Sequence, residues 1–165
     1  MKNDKSIIEE IKRGLIEVHK KSKANTMRKW TQAFLEKLFD IGKKHKFIVY
    51  PDCKRMEGQW LFDLCWSKEN EGDKWIKGFK GLKLICESEW KMNDEEIIYD
   101  FHKLVVCKAD IKLMIVQYNS KKRFDEIKKL CEQSTDKSLY KDTSIYLFGS
   151  GNNDDKPEWV KLWNK

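Results

Sequence analysis

The stretch GLKLICESEW, Gly81 to Trp90, decides the reading of this chain. Leu82, Leu84, Ile85 and Cys86 form an apolar run typical of a buried strand. The run then ends in Glu87 and Glu89, one residue apart, and closes on Trp90. Side chains alternate along a strand, so both glutamates point to one face. Like charges that close raise each other's pKa or require a cation.

Working outward, the flanking segments set the fold class. Upstream, QWLFDLCW (Gln59–Trp66) reads as a second strand, interrupted by Asp63. Before it, KFIVYPD (Lys46–Asp52) is a short strand stopped by Pro51, and SKENEGDKWIKG (Ser67–Gly78) is a polar loop. Downstream, Asn93 with Glu96 three residues on is a capping box that opens a helix ending near Lys108. DIKLMIVQY (Asp110–Tyr118) is a fourth strand and SIYLFGS (Ser144–Ser150) a fifth. Between them, KKRFDEIKKLCEQ turns Phe124, Ile127, Leu130 and Cys131 inward as a helix.

Two helices precede the strands. Ile7, Ile8, Ile11, Leu15 and Val18 recur at helical spacing over residues 6–21, and Trp30, Phe34, Leu38 and Phe39 do so between Thr26 and Lys44. The tail opens as a loop, after which Trp159, Val160, Leu162 and Trp163 dock. The order α-α-β-β-β-α-β-α-β predicts an α/β fold (an α+β sandwich) around a central mixed sheet. A chain of 165 residues is expected to make one domain, 1–165. Within it, 1–25 is an N-terminal helix, 26–118 the αβββαβ core, and 119–165 a C-terminal helix, strand and tail.

Charge and cysteine content narrow the class. The net charge of +7 lies wholly in residues 1–46, with 13 Lys or Arg against 6 Asp or Glu, while residues 47–165 balance. Such a bias suits a polyanion such as nucleic acid, or simply a solvated lysine-rich helix face. No apolar run approaches the roughly 18 residues of a membrane helix, and the charged N-terminus is unlike a secretory signal. Five cysteines without a C-x-x-C pair read as reduced thiols in a cytoplasmic protein, and their spacing matches no zinc cluster.

Three carboxylates, Asp63, Glu87 and Glu89, interrupt apolar strands. Adjacent strands bring such groups within reach of one another, and a hard divalent ion such as Mg²⁺ takes oxygen ligands of this kind. Lys103 lies three residues after Asp100 on the following helix, positioned to neutralise developing charge. The plainer alternatives are an edge-strand Asp63, a solvated Glu87 and Glu89 paired to Lys83, and an ordinary Asp100–Lys103 ion pair. His102 reads as a surface or core residue, His19 and His45 as surface residues, and Trp60, Trp66 and Trp90 as core packing more than base stacking.

With these pieces in place, EGQWLFDLCW, GLKLICESEW and DFHKLVVCKADIKLMIV together resemble the PD-(D/E)XK, or restriction endonuclease-like, nuclease superfamily over residues 26–118. The resemblance implies that Asp63 and Glu87 bind Mg²⁺ (or Mn²⁺), joined by an acid on the first core helix, for which Glu36 in AFLEKLF is the candidate. Phe62, not proline, precedes Asp63, and Glu89 replaces the lysine of E-x-K. Lys103 on the next helix would take that lysine's place, and Glu89 would be a further ligand or orient water. Two functions follow as expectations. One is a Mg²⁺-dependent nuclease on DNA or RNA, with Asp63, Glu87, Glu89 and Lys103 catalytic and the basic helices gripping phosphates. The other is a non-catalytic protein of the same fold that binds nucleic acid or a protein partner in a defence or repair system; under either reading the partner could be a second copy, in a homodimer.

Overall fold

In a computed structural model of the chain, the described residues are 4–22, 24–51, 61–68, 79–136, 144–151 and 156–162. Two helices open the chain, α1 (Asp4–Lys21) and α2 (Met27–Lys44). Three strands follow, β1 (Ile48–Tyr50), β2 (Leu64–Ser67) and β3 (Leu82–Glu89). Then come α3 (Asp94–Val106), β4 (Ala109–Gln117), α4 (Lys121–Gln133), β5 (Ser144–Ser150) and β6 (Glu158–Lys161).

The six strands form one mixed sheet in chain order, β1 to β6. The pairs β1–β2, β2–β3 and β5–β6 are antiparallel, whereas β3–β4 and β4–β5 are parallel. Parallel neighbours need a crossover long enough to return the chain, and α3 and α4 supply the two crossovers. The protein is therefore α/β, with helices on both faces of an open sheet.

Alternation along the strands sorts the core into two layers. On one face Leu64, Trp66, Leu84, Cys86, Leu113 and Ile115 pack beneath α1 and α2, against Ile11, Leu15, Phe34 and Leu38. On the other, Cys65, Ile85, Met114, Val116 and Leu147 pack beneath α3 and α4, against Ile97, Phe101, Phe124 and Ile127. The central strands are apolar on both faces because both are covered, which explains their near-continuous hydrophobic runs.

Several local expectations need correction. Strand pairing in QWLFDLCW begins only at Leu64, and residues 61–63 bend instead. The tail forms a sixth strand, β6, in place of an irregular docking segment. Asn93 caps α3 by accepting from the Glu95 N–H at 2.8 Å, while Glu96 is held by Lys91 Nζ at 2.8 Å and closes no reciprocal box. His19 is buried, with Nδ1 3.1 Å from Ser150 Oγ, and the His45 ring is buried against Glu10 at 2.9 Å. His19 reaches the end of β5, and His45, the C-cap of α2, reaches Glu10 on α1. Cys65, Cys86 and Cys131 are buried in the core and Cys107 is half-buried. Cys53, Asp52, Trp60, Trp163 and most of the 67–78 loop fall outside the described residues. No described helix is long and apolar enough to cross a membrane.

Candidate active site

The acids gather at one point on the α3 side of the sheet. Leu64 pairs with Cys86 across the antiparallel β2–β3 ladder, so continuing the register by one residue sets Asp63 opposite Glu87. Glu87 shares the parity of Ile85, which packs in the α3–α4 layer. Glu87 is 1% exposed. Helix α3 is held on this face by Ile97, Phe101 and Leu104. One turn further round, it brings Lys103 Nζ to 2.5 Å from Glu87 Oε1 and 3.2 Å from Asp100 Oδ1.

Asp63 is oriented by Ser88, which donates to its Oδ2 from both the backbone N–H, at 2.8 Å, and the hydroxyl, at 2.6 Å. Two donors on one carboxylate oxygen fix the side chain in place. The β2–β3 pair thus presents Asp63 and Glu87 together, and α3 adds Asp100 and Lys103.

Among the described residues, acids outnumber bases in this cluster. Burial drives the Glu87 carboxyl up to about 8; the nearby Lys103 ammonium pulls the other way, and the negative charges of Asp63 and Asp100 add to the rise. Asp100 is also raised, first by burial, against the pull of Lys103 and with repulsion from Asp63. Lys103 is held above its ordinary value because its contacts with Glu87 and Asp100 outweigh the burial that lowers it. Lys103 Nζ is ion-paired to both Glu87 and Asp100, and Glu87 is the most deeply buried of the cluster's carboxylates.

The remaining sequence candidates lie apart from this cluster. Glu89 shares the face of Glu87, but its Oε1 turns away to accept from the Lys91 N–H at 2.6 Å. Glu36 is exposed on α2 and bonded to Gln32 Nε2 at 2.9 Å, in the helix layer across the sheet from Glu87. The basic helices α1 and α2 also cover that opposite face, and several of their lysines are spent on local acids: Lys21 and Lys37 on Glu17, Lys44 on Glu10. His102 Nε2 lies 3.3 Å from the Ser134 carbonyl and is structural. Trp66 is fully buried and stacked on Phe47, with centroids 5.6 Å apart, and Trp90 is buried in the aromatic layer beneath α2; both are packing residues.

Among the described residues, no three His, Cys, Asp or Glu side chains stand close enough to form a metal-binding group. Two carboxylates do fit a Mg²⁺ site in chemistry, because that ion keeps most of its waters and takes only one or two protein carboxylates plus substrate phosphate. The mutual repulsion of Asp63 and Glu87 is what a divalent cation would relieve. Ser88 and Asp100 are the members of the cluster not assigned from sequence. The Asp100 signal was its i,i+3 spacing from Lys103; Ser88 gave none beyond standing between two glutamates. Comparison with models of known families, with curated proteins and with solved structures finds no match.

Proposed function

We propose that the protein is a Mg²⁺-dependent nuclease, a phosphodiesterase on a restriction endonuclease-like framework. The observation that supports this reading is the cluster of acids among the described residues: Asp63 opposite a buried Glu87, and Lys103 of α3 paired to Glu87 at 2.5 Å and to Asp100 at 3.2 Å. The strand order supports it too, since a β1–β2–β3 antiparallel run followed by a crossover helix and a parallel β4 is the expected αβββαβ core.

Asp63 and Glu87 would hold the ion. When bound, Mg²⁺ lowers the pKa of a coordinated water and neutralises charge on phosphate. Ser88 keeps Asp63 aimed. Lys103 stands beside Glu87, where its ammonium would neutralise charge on a substrate phosphate. Asp100, at 3.2 Å, positions that ammonium. Lys103 on α3 thereby stands in for the E-x-K lysine that Glu89 displaces.

The test is incubation of purified protein with plasmid, single-stranded DNA and RNA, with Mg²⁺ or Mn²⁺. Metal-dependent cleavage that Asp63→Asn and Glu87→Gln each reduce at least a hundredfold supports the reading. Cleavage that is absent on every substrate, or unchanged in those variants, overturns it. The second reading is a non-catalytic protein of this fold that binds nucleic acid or a protein. It draws on the missing E-x-K lysine and on a Glu89 turned to Lys91, and it predicts binding indifferent to Mg²⁺.

A further inference from the structure

A second feature lies at the same end of the sheet, on the opposite face. A cavity of about 410 Å³ opens at the C-terminal ends of the three parallel strands, where Trp90, Gln117 and Ser150 follow or close β3, β4 and β5. Ligands of open α/β sheets gather at this end of the strands. The volume falls within the range of small-molecule pockets, roughly 300–1,000 Å³.

The chemistry of the walls narrows the occupant. One wall is aromatic: Trp30 stacks on Trp90 with centroids 6.3 Å apart. Trp90 is committed inward, 5.7 Å from Phe34 and only 6% exposed, whereas Trp30 is the half-buried outer member. The polar walls are amides and hydroxyls, from Asn25, Thr26, Gln117 and Ser150, and among the described residues no carboxylate or ammonium lines the cavity. Ser150 is fixed by the buried His19 at 3.1 Å. The Trp90 indole N–H is buried without a hydrogen-bond partner. A neutral set of donors and acceptors beside an indole suits a flat, uncharged heterocycle with hydrogen-bonding edges. Helix α2 begins at the rim, with Thr26 as its N-cap, and its positive end favours a neighbouring phosphate.

We propose that this cavity takes one unstacked base of a single-stranded nucleic acid, laid against Trp30. A base inside a duplex has no route into a cavity, so the strand must be single or locally opened. The proposal rests on the nuclease reading for its choice of nucleic acid. The link is distance: Trp90 follows Glu87 by three residues on β3, about 10 Å at roughly 3.3 Å per residue. A strand crossing the sheet's C-terminal edge would then place a phosphate near Asp63 and Glu87 while a nearby base enters the cavity.

The experiment compares binding of a short oligothymidylate with an abasic backbone of the same length and charge, at low salt, by fluorescence anisotropy. Wild-type protein is expected to prefer the base-bearing strand about tenfold, the scale of one base–aromatic stack. Trp30→Ala and Gln117→Ala should each erase most of that preference, and Trp30→Phe should keep part of it. Thymidine monophosphate should also shift the Trp30 indole resonance of the wild-type protein, a readout independent of any variant's folding. Equal binding of the two strands, no binding of either, or a preference that survives both alanine variants overturns the proposal. Base preference without metal-dependent cleavage sinks the nuclease reading and leaves this one; cleavage without base preference does the reverse.

Discussion

The two faces of strand β3 are built from alternate residues of one segment and meet opposite environments. Leu84 and Cys86 enter a layer of stacked rings, in which Phe34 lies 5.7 Å from both Trp30 and Trp90 and 5.5 Å from Phe148. Ile85 and Glu87 face α3, where an aliphatic floor gives way to carboxylates. The first face gains stability by excluding water from apolar surface. The second gives some of that gain up, since a buried carboxyl costs free energy unless paired and solvated. Because side chains alternate with period two, a slip of one residue would exchange the two faces, so the apolar pattern of β3 also fixes where the acids stand.

That contrast predicts opposite responses to mutation. The largest effect is expected on the aromatic face. Phe34 is fully buried, and Phe34→Ala should cost about 3–5 kcal/mol in urea unfolding, by lost transfer energy and the cavity left behind. A Phe34→Ala loss well under 1 kcal/mol would mean that this layer is not the dominant core.

On the acid face the sign reverses. Glu87 has an ordinary carboxyl pKa near 4.5 when unfolded and about 8 when folded. Between those values the folded protein binds more protons than the unfolded chain, so stability falls as pH rises from about 5 to about 8. Glu87→Gln should flatten that fall and be more stable than wild type at pH 8.5, by up to a few kcal/mol once partial solvation is allowed for, while losing cleavage. Thermal melts across this pH range decide it. A wild type that gains stability with rising pH, or a variant less stable at high pH, would contradict the charge account.

A smaller cost separates the packing of the two layers. A Cβ on Gly42 would meet Trp66 Nε1 at 2.6 Å and Val49 Cγ2 at 2.7 Å on the aromatic face. Gly42→Ala is therefore expected to destabilise by about 1–2 kcal/mol, overpacking outweighing the better helix propensity of alanine. A stabilised variant would show that this layer has slack. Smallest in stability is Ser88→Ala, at about 1 kcal/mol for the hydroxyl bond to Asp63. Its signature is a cleavage rate reduced several-fold with substrate affinity unchanged, because the Ser88 backbone N–H still holds Asp63. A rate equal to wild type would leave the hydroxyl without a positioning role.

Much of this contrast was legible in the sequence. Helical spacing of Ile7, Ile11 and Leu15, and of Phe34 and Leu38, located α1, α2 and their buried stripes. The same stripe shows Glu36 to be off the buried side, two residues from Phe34 and Leu38, which is where it is found. The parity of Glu87 with Ile85 gave its face. What stayed hidden depended on long-range register or on weak local patterns. Strand β6 is four residues long, only partly buried and at the sheet edge, so it lacks the alternation that marks a strand. The burial of His19 comes from Ser150, 131 residues away, and nothing in the lysines after it announces that partner. Glu89 kept the expected face, yet a backbone amide two residues on captured its carboxylate.

The account stands on the proposal that a divalent cation binds at Asp63 and Glu87. Titration calorimetry of Mg²⁺ into the protein near pH 7, repeated in buffers of different ionisation heat, tests this most directly. Binding should release a proton, since the metal displaces the one that burial keeps on Glu87, and Glu87→Gln should lose that release and bind at least tenfold more weakly. Absence of Mg²⁺ binding, or binding with no proton release and the same affinity in Glu87→Gln, would contradict it.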